Sequence, residues 1–563
     1  MGIFNFFPWL KNTYPSCVST ANKKSNLPSR KINVDNFMID GNCIYHPCAQ
    51  KVYKYGSGVV SQQSLLHPYK QNIDPIHPDI LEKQCFDEIC SAVDQLIRFV
   101  KPKKRFIMST DGTAPLAKQF QQRCRRFKSS EEKTQEEMDV FDSNCLTPGT
   151  EFMDRMSEYI HIFFKNKCES HLPCDMVYNR LTIIFSNEKV PGEGEAKLME
   201  YIRYSTAKND TWCVYSADAD LIMLALVTHE KKFYILRDNI YNRFVEEYFI
   251  VDVGDLRKDI LAVMGGVSQK SATDEKACRI INDFVMICFF VGNDFLPHIP
   301  TIEIKDGGID IILKVYQNFG NHITSYNKFD DICIDYDNFS EFFKLLAAKE
   351  QYMINARVNS VHYSRCYPFP SLDDNTKQEK CNAIVDLPGF RRQYYREKFN
   401  LDTDKDQRTI KRIVYDFLEG IQWVLTYYCV GVSNWNWKYP HQYAPFLGDI
   451  SEYMGRYKQP EYGLSSPNEP FVQLLSVLPP VSRNLIPEPL REIFDILPHM
   501  YPTEVTVDLE GKKNDYEGIV IVPFIDDSTL KLEFNKRIEK CSKVELERNK
   551  IGQIYTYRPQ NAL

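Results

Sequence analysis

Apolar runs of strand length end in acidic residues at widely separated places, and this pattern limits the fold more than any other feature of the chain. NFMID ends at Asp40, RFIMSTD at Asp111, CVYSADAD at Asp218 and Asp220, and MICFFVGND at Asp294. Carboxylates are poor core material unless they are paired or metal-bound. Acids at the ends of several buried strands would converge on one pocket of oxygen ligands, the donor type that hard divalent ions take. Glu193 and Glu195, at a glycine-broken helix entry in VPGEGEAK, bring the set to seven. A set that dense points to a two-metal phosphodiester hydrolase.

The spacing of the runs gives the architecture. Strand-like segments at 35–40, 105–110, 181–186, 212–217 and 233–236 alternate with helical stretches at 79–100, 113–128, 150–167, 194–206 and 279–292. Such alternation predicts an α/β fold with a mostly parallel sheet flanked by helices. Ligands in such folds bind beyond the carboxyl ends of the strands, where Asp40, Asp111 and Asp218 fall. Residues 129–140 are charged and read as an exposed helix or loop, 265–277 as a loop, and 355–408 as an irregular connector. A second block, 409–560, opens with an amphipathic helix, passes through SNWNWKYPHQYAPF and closes with a hairpin-like VTVDLEGKKNDYEGIVIVPFID.

Beside Asp111 lies the sharpest motif, DGTAPLAKQFQQRCRRF. Lys118, Gln122, Arg125 and Arg126 fall at i, i+4, i+7 and i+8, one face of a helix. Three cations and an amide just past an acidic strand end form a phosphate receptor; a solvated basic surface is the plain alternative. Each acidic segment also has an ordinary reading. Glu193 and Glu195 suit a helix N-terminus, Asp218 or Asp220 a helix cap, and Asp294 a turn. A series of ordinary caps does not explain acids at nearly every strand end. His46, six residues after Asp40, and Trp435 and Trp437 in the second block supply rings that would stack on a nucleobase.

A net charge of −6 argues against a general polyanion binder and fits an acidic metal site with a local basic patch. The 17 cysteines include no CxxC pair, so they read as reduced thiols of an intracellular protein rather than zinc ligands. The N-terminal MGIFNFFPWLKNTYP has no basic n-region, so a signal peptide is not expected, and no apolar run is long enough to span a membrane.

These segments together resemble the Xrn family of 5′→3′ exoribonucleases. The resemblance rests on MGIFNFFPWL, FMIDGNCIYH, DGTAPLAKQFQQRCRRF, NCLTPGTEFM, IIFSNEKVPGEGEAKLMEYIR, YSADADLIMLALVTHE and CFFVGNDFLPHIP. It continues through WVLTYYCVGVSNWNWKYPHQYAPF, SVLPPVSRNLIPEP and EGKKNDYEGIVIVPFID. It implies a PIN/FEN-like nuclease core over 1–350, a connector at 351–384, and a second helical and β conserved region over 385–563 packed on the core. The resemblance further implies magnesium, two ions with manganese able to substitute, on Asp40, Asp111, Glu193, Glu195, Asp218, Asp220 and Asp294. It places the 5′-monophosphate on Lys118, Gln122, Arg125 and Arg126, and base stacking on His46 and on either Trp435 or Trp437.

Two departures stand out. Leu116 takes a place that is often basic in the family, which weakens the basic rim, and Pro8 is expected to interrupt an N-terminal helix. The chain also stops soon after the second region, without the extra domains or tail of larger relatives, which suggests a compact form encoded by a large DNA virus. The expected activity is processive hydrolysis of single-stranded RNA from a 5′-monophosphate end to nucleoside 5′-monophosphates, in mRNA decay. The protein is expected to be a cytoplasmic monomer, with no membrane partner and with the decapping machinery as a candidate protein partner. A flap-type 5′ DNA nuclease and a catalytically inactive RNA-binding scaffold are the alternatives.

Overall fold

The computed structural model describes residues 5–25, 27, 32–55, 77–131, 141–207, 209–239, 246–265, 274–328, 331–359, 385–512, 514 and 517–558. Twelve strands are formed among them: β1 (Val18–Asn22), β2 (Asn36–Asp40), β3 (Arg105–Ser109), β4 (Thr182–Ser186), β5 (Trp212–Tyr215), β6 (Phe233–Asp238), β7 (Glu247–Asp252), β8 (Thr324–Tyr326), β9 (Ile332–Ile334), β10 (Thr506–Asp508), β11 (Ile519–Ile521) and β12 (Tyr555–Tyr557). The main sheet has the order β1-β7-β6-β5-β2-β3-β4-β12. Its five central strands, β6 to β4 in that order, are parallel. Antiparallel pairings join β7 to β6, β1 to β7 and β12 to β4 at the two edges.

The central strands are buried on both faces, which is why they read as near-continuous apolar runs. Alternate side chains go to opposite layers. Phe37, Ile39, Phe106, Met108, Ile183 and Phe185 join one core with the helices Asn42–Tyr53, Pro78–Val100 and Glu151–Glu169. Met38, Ile107, Ile184 and Val214 join the other, with the helices Gly194–Tyr204, Leu221–Val227 and Asp274–Cys288. That second core also takes in Val414, Phe417, Leu418 and Ile421 from the helix Gln407–Cys429. The later part of the chain therefore shares a core with the sheet, and its β12 extends the sheet beside β4.

Several expected boundaries are corrected. The segment read as an irregular connector contains the helix Leu387–Phe399, and the helix Glu350–Asn359 runs into it from the N-terminal side; 360–384 lie outside the described residues. The loop expected at 265–277 gives way to helix at Asp274, with 266–273 outside the described residues, as are 132–140 of the charged stretch. Pro8 does not interrupt the first helix, Phe6–Thr13. It is that helix's third residue, where a missing N–H costs no internal bond. The hairpin expected near the end forms as β10 and β11. Among the described residues no helix is long and apolar enough to cross a membrane.

Candidate active site

Parallel pairing sets the carboxyl ends of β2, β3, β4 and β5 along one edge, and the acids gather there. Asp40 is the last residue of β2, and Asp111 follows β3 by two residues. The helix Gly194–Tyr204 enters across that edge. Its first N–H, from Gly194, donates to Asp111 Oδ1 at 2.7 Å, while Ser109 Oγ donates to the Gly194 carbonyl at 2.6 Å. A Cβ on Gly194 would stand 2.7 Å from Asp40 Oδ1, so only glycine lets the helix end approach this closely. Asn42 ties the two strand ends together: its backbone N–H donates to Asp40 Oδ1 (3.2 Å) and its side-chain amide to Asp111 Oδ2 (2.5 Å).

The capping alternatives fail for two of the acids. Glu193 and Asp220 occupy N-cap positions, of the helices Gly194–Tyr204 and Leu221–Val227, yet neither side chain caps its helix. At the third site Asn293, not Asp294, makes the turn, its Oδ1 accepting from the N–H groups of Phe295 (2.8 Å) and Leu296 (2.9 Å). Asp218 and Asp220 are not placed by a continuing strand, since β5 ends at Tyr215. The bend into the following helix brings them together instead. Ligand oxygens of Glu195, Asp218 and Asp220 all lie within 4.8 Å of one another, and so do ligand atoms of Asp40, Cys43 and Asp218.

The seven acids thus divide by partner. Glu193 and Asp294 flank the Lys118 ammonium, which lies 2.7 Å from Asp294 Oδ2 and is also paired with Glu193 Oε2. Tyr427 Oη donates to Glu193 Oε1 at 2.5 Å. Burial opposes the charge on Lys118, but Asp294 and Glu193 outweigh it and hold the ammonium well above its ordinary pKa. Burial alone would raise Asp294, yet Lys118 keeps it well below the carboxylate range. Of the rest, Asp40, Asp220 and Glu195 are crowded. Burial, with Asp111 and Asp218 adding, pushes Asp40 up to about 8. Burial, with Asp294 and Asp218 adding, pushes Asp220 up to about 7. Glu195 is raised well above its ordinary value by burial and then by Asp220 and Asp218.

Buried carboxylate oxygens without a partner test whether a cation fits. Glu195 Oε2 and Asp220 Oδ1 are buried and make no hydrogen bond. An apolar core does not leave such oxygens unpaired, since burying an unpaired charge costs several kcal/mol, about 3–5 where one partner of a pair is missing. All-oxygen donors at this spacing suit a hard divalent ion. The residues present therefore fit a metal centre on Asp40, Glu195, Asp218 and Asp220, with Asp111 alongside.

Next to it, the helix Leu116–Glu131 carries the cationic face. Gln122 and Arg126 are buried, whereas Arg125 is exposed at the rim. Arg126 donates through Nε (3.1 Å) and Nη2 (3.0 Å) to Thr147 Oγ1, and its Nη1 is buried with no partner, as is Gln122 Oε1. Burial, with Arg125 beside it, lowers the Arg126 guanidinium to about 9. A buried cation with a free donor is set up to receive an anion. Leu116 is buried, and its N–H donates to the Trp435 carbonyl (2.9 Å), so it anchors the helix start to the later region.

Of the three rings, His46 lies half-buried on the helix Asn42–Tyr53, one turn beyond Asn42. Trp437 is stacked on the core residue Trp423, with centroids 4.9 Å apart and planes at 23°. Trp435 is half-buried, held through its backbone by Ser465 and Leu116. The sequence reading passed over Asn42, Cys43, Thr147 and Tyr427. The first two sit beside Asp40 in FMIDGNC and were within reach of a local reading, but Tyr427 is one more aromatic in an apolar helix and gives no signal.

Comparison with known proteins decides the lineage. Residues 1–239 match the model of the XRN 5′-3′ exonuclease N-terminus, and residues 275–366 and 369–557 match that of the Xrn1 helical domain. The chain belongs to the Xrn family. It is similar to human "5′-3′ exoribonuclease 1", at 31% identity over 98% of this chain and 35% of that one. It is also similar to the Drosophila melanogaster "5′-3′ exoribonuclease 2 homolog", at 28% identity over 99% of this chain and 73% of that one. The Arabidopsis thaliana "5′-3′ exoribonuclease 2" is 30% identical over 98% of this chain and 68% of that one. This Xrn chain thus spans about a third of the human relative's length and about two thirds or more of the other two.

Proposed function

We propose that this Xrn chain is a divalent-metal-dependent 5′→3′ exoribonuclease that removes nucleoside 5′-monophosphates from single-stranded RNA bearing a 5′-monophosphate. The observation that carries the reading is the juxtaposition of two unmet demands across one strand edge. Glu195 Oε2 and Asp220 Oδ1 are buried acceptors without a hydrogen-bond partner, and Arg126 Nη1 is a buried donor without one.

Each group then has a task. Arg126 and Arg125 bind the terminal phosphate, and Gln122 orients it. Lys118, kept charged by Glu193 and Asp294, faces the phosphate from the metal side. His46 and Trp435 hold the first base, Trp437 being committed to the Trp423 stack. Asp40, Glu195, Asp218 and Asp220, with Asp111, would hold divalent ions that supply an activated water and stabilise the leaving 3′-oxygen. Tyr427 and Asn42 fix the Glu193 and Asp111 carboxylates in place. A pocket fitted to one phosphate leaves no room for a cap or triphosphate. Decapped mRNA is one source of such an end, so this reading takes the chain to act in cytoplasmic mRNA decay.

The test uses one 3′-labelled RNA carrying a 5′-monophosphate, 5′-hydroxyl or 5′-triphosphate, with magnesium or with EDTA. Magnesium-dependent loss of the monophosphate form alone, with mononucleotide products, is expected. Asp218→Ala is expected to abolish turnover and keep RNA binding. Preference for a matched DNA flap would replace this reading with a DNA nuclease. RNA binding without degradation by the unaltered chain would replace it with a scaffold.

A further inference from the structure

The metal edge contains a sulfur atom that oxygen-ligand chemistry does not call for. Cys43 is in the first turn of the helix Asn42–Tyr53, three residues past Asp40. Its Sγ donates to Asp40 Oδ2 at 3.3 Å, accepts from the Ala217 N–H at 3.3 Å, and lies 3.5 Å from Ser216 Oγ. The thiol therefore bridges the end of β2 and the end of β5, between the two strands whose acids form the site. Its sulfur and one oxygen each of Asp40 and Asp218 lie within 4.8 Å of one another. Asp218 also belongs to the adjoining group with Glu195 and Asp220, where Asp220 Oδ1 is buried and unpartnered. Through the shared Asp218, a cation held at the Asp40 position would have the Cys43 sulfur among the atoms around it.

We propose that Cys43 makes the Asp40–Asp218 position a mixed oxygen and sulfur site, which takes thiophilic divalent ions of the zinc and cadmium class in competition with magnesium. The inference deepens the metal-dependent reading of the same carboxylates and rests on it. Hard magnesium gains little from sulfur, whereas thiolate ligands favour zinc-class ions strongly. On binding, the Cys43 S–H bond breaks, the proton leaves to solvent and a metal–sulfur bond forms, with no change of oxidation state. A softer ion held by the sulfur would then occupy a position that magnesium needs.

The experiment titrates the intact, metal-free protein with cadmium ion and follows the thiolate-to-cadmium charge-transfer absorption in the ultraviolet. Three proteins are compared: the unaltered chain, Cys43→Ser, and Cys174→Ser as a control at an exposed cysteine. The unaltered chain and Cys174→Ser are expected to show the same saturable band. Cys43→Ser is expected to lose that component and to bind cadmium about tenfold or more weakly, the scale on which changes at a metal site act. Magnesium added to the unaltered chain should weaken cadmium binding in proportion to its concentration. An identical band and affinity in Cys43→Ser, with near-unchanged circular dichroism, would overturn the proposal; so would a band that magnesium leaves untouched. A misfolded Cys43→Ser is covered by Asp218→Asn, which keeps the sulfur and must also weaken the band. Absence of magnesium-dependent RNA degradation by the unaltered chain would defeat the nuclease reading separately, without altering the cadmium result.

Discussion

Lys118 Nζ lies 2.7 Å from Asp294 Oδ2 and is also paired with Glu193, so one buried ammonium is shared by two acids from well-separated segments of the chain. Removing it leaves two buried carboxylates facing each other. Lys118→Met keeps the volume and discards the charge. The metal-free variant is expected to be less stable by about 3–5 kcal/mol, the cost of breaking a buried pair from one side. Urea unfolding in EDTA measures this. Magnesium should return part of the loss, since a cation again faces the acids. An unchanged midpoint in EDTA would show that the ion pair does not hold the site together.

The crowded acids predict an unusual pH dependence for the metal-free protein. Asp40 is raised to about 8 and Asp220 to about 7, against roughly 4 in an unfolded chain. Folding therefore holds protons that the unfolded chain has released. Their contribution is fully present below about pH 4 and is lost as pH rises through 7 to 8. In EDTA the melting temperature is expected to fall between pH 5 and pH 8, and Asp40→Asn should flatten that fall. Magnesium should raise the melting temperature most at pH 8, where it meets charged carboxylates. Differential scanning calorimetry at several pH values reads both trends, and a slope unaffected by Asp40→Asn would refute this origin.

Much of this site was legible because parallel strands are written in the sequence twice, as apolar runs and as the residues that stop them. All five central strands stand within two residues of where the runs placed them, and Asp40 and Asp111 follow from their ends. The edge strands β1, β7 and β12 were not legible. VSTAN and YTY are short and partly exposed, and their pairing is decided by partners far along the chain. The division of seven acids into those held by Lys118 and those left crowded was equally out of reach. It depends on how the helix Leu116–Glu131 is seated, and spacing says nothing of that. The assignment proposed for the two tryptophans rests on Trp423, a residue with no motif of its own.

The seating of that helix rests on Arg123. Its guanidinium is buried and donates to the carbonyls of Pro523 (3.3 Å), Ser476 (3.0 Å) and Met500, all from the later region. Burial lowers its pKa to about 10, still charged near neutrality. Arg123→Met strands three carbonyls, at a cost on the order of 1–3 kcal/mol for each one left unsatisfied. Chemical denaturation should show that loss. On RNA, KM for the 5′-monophosphate substrate should rise more than kcat falls, because the metal acids stay in place while the anion pocket loosens. Equal effects on both substrate ends, monophosphate and hydroxyl, would assign Arg123 to stability alone.

Trp435 and Trp437 are two residues apart and should fail in different ways. Trp437 lies against Trp423 and close to Gly420, where an added Cβ would stand 3.1 Å from its ring, so the backbone and the ring are fitted to each other. Trp437→Ala opens a cavity in that stack and should lower stability by about 3–5 kcal/mol, as large aromatic truncations do. Trp435 is tied in through its backbone: its carbonyl receives the Leu116 N–H at 2.9 Å and its N–H donates to Ser465 Oγ at 2.9 Å. Alanine preserves both bonds, so Trp435→Ala should unfold at nearly the same urea concentration. It should instead lose base stacking worth about 1–3 kcal/mol, roughly a 5- to 150-fold rise in KM for single-stranded RNA. Urea midpoints and steady-state kinetics on the pair separate the roles. A reversed outcome, with Trp435→Ala unstable and Trp437→Ala weak only in binding, would move the stacking ring to Trp437.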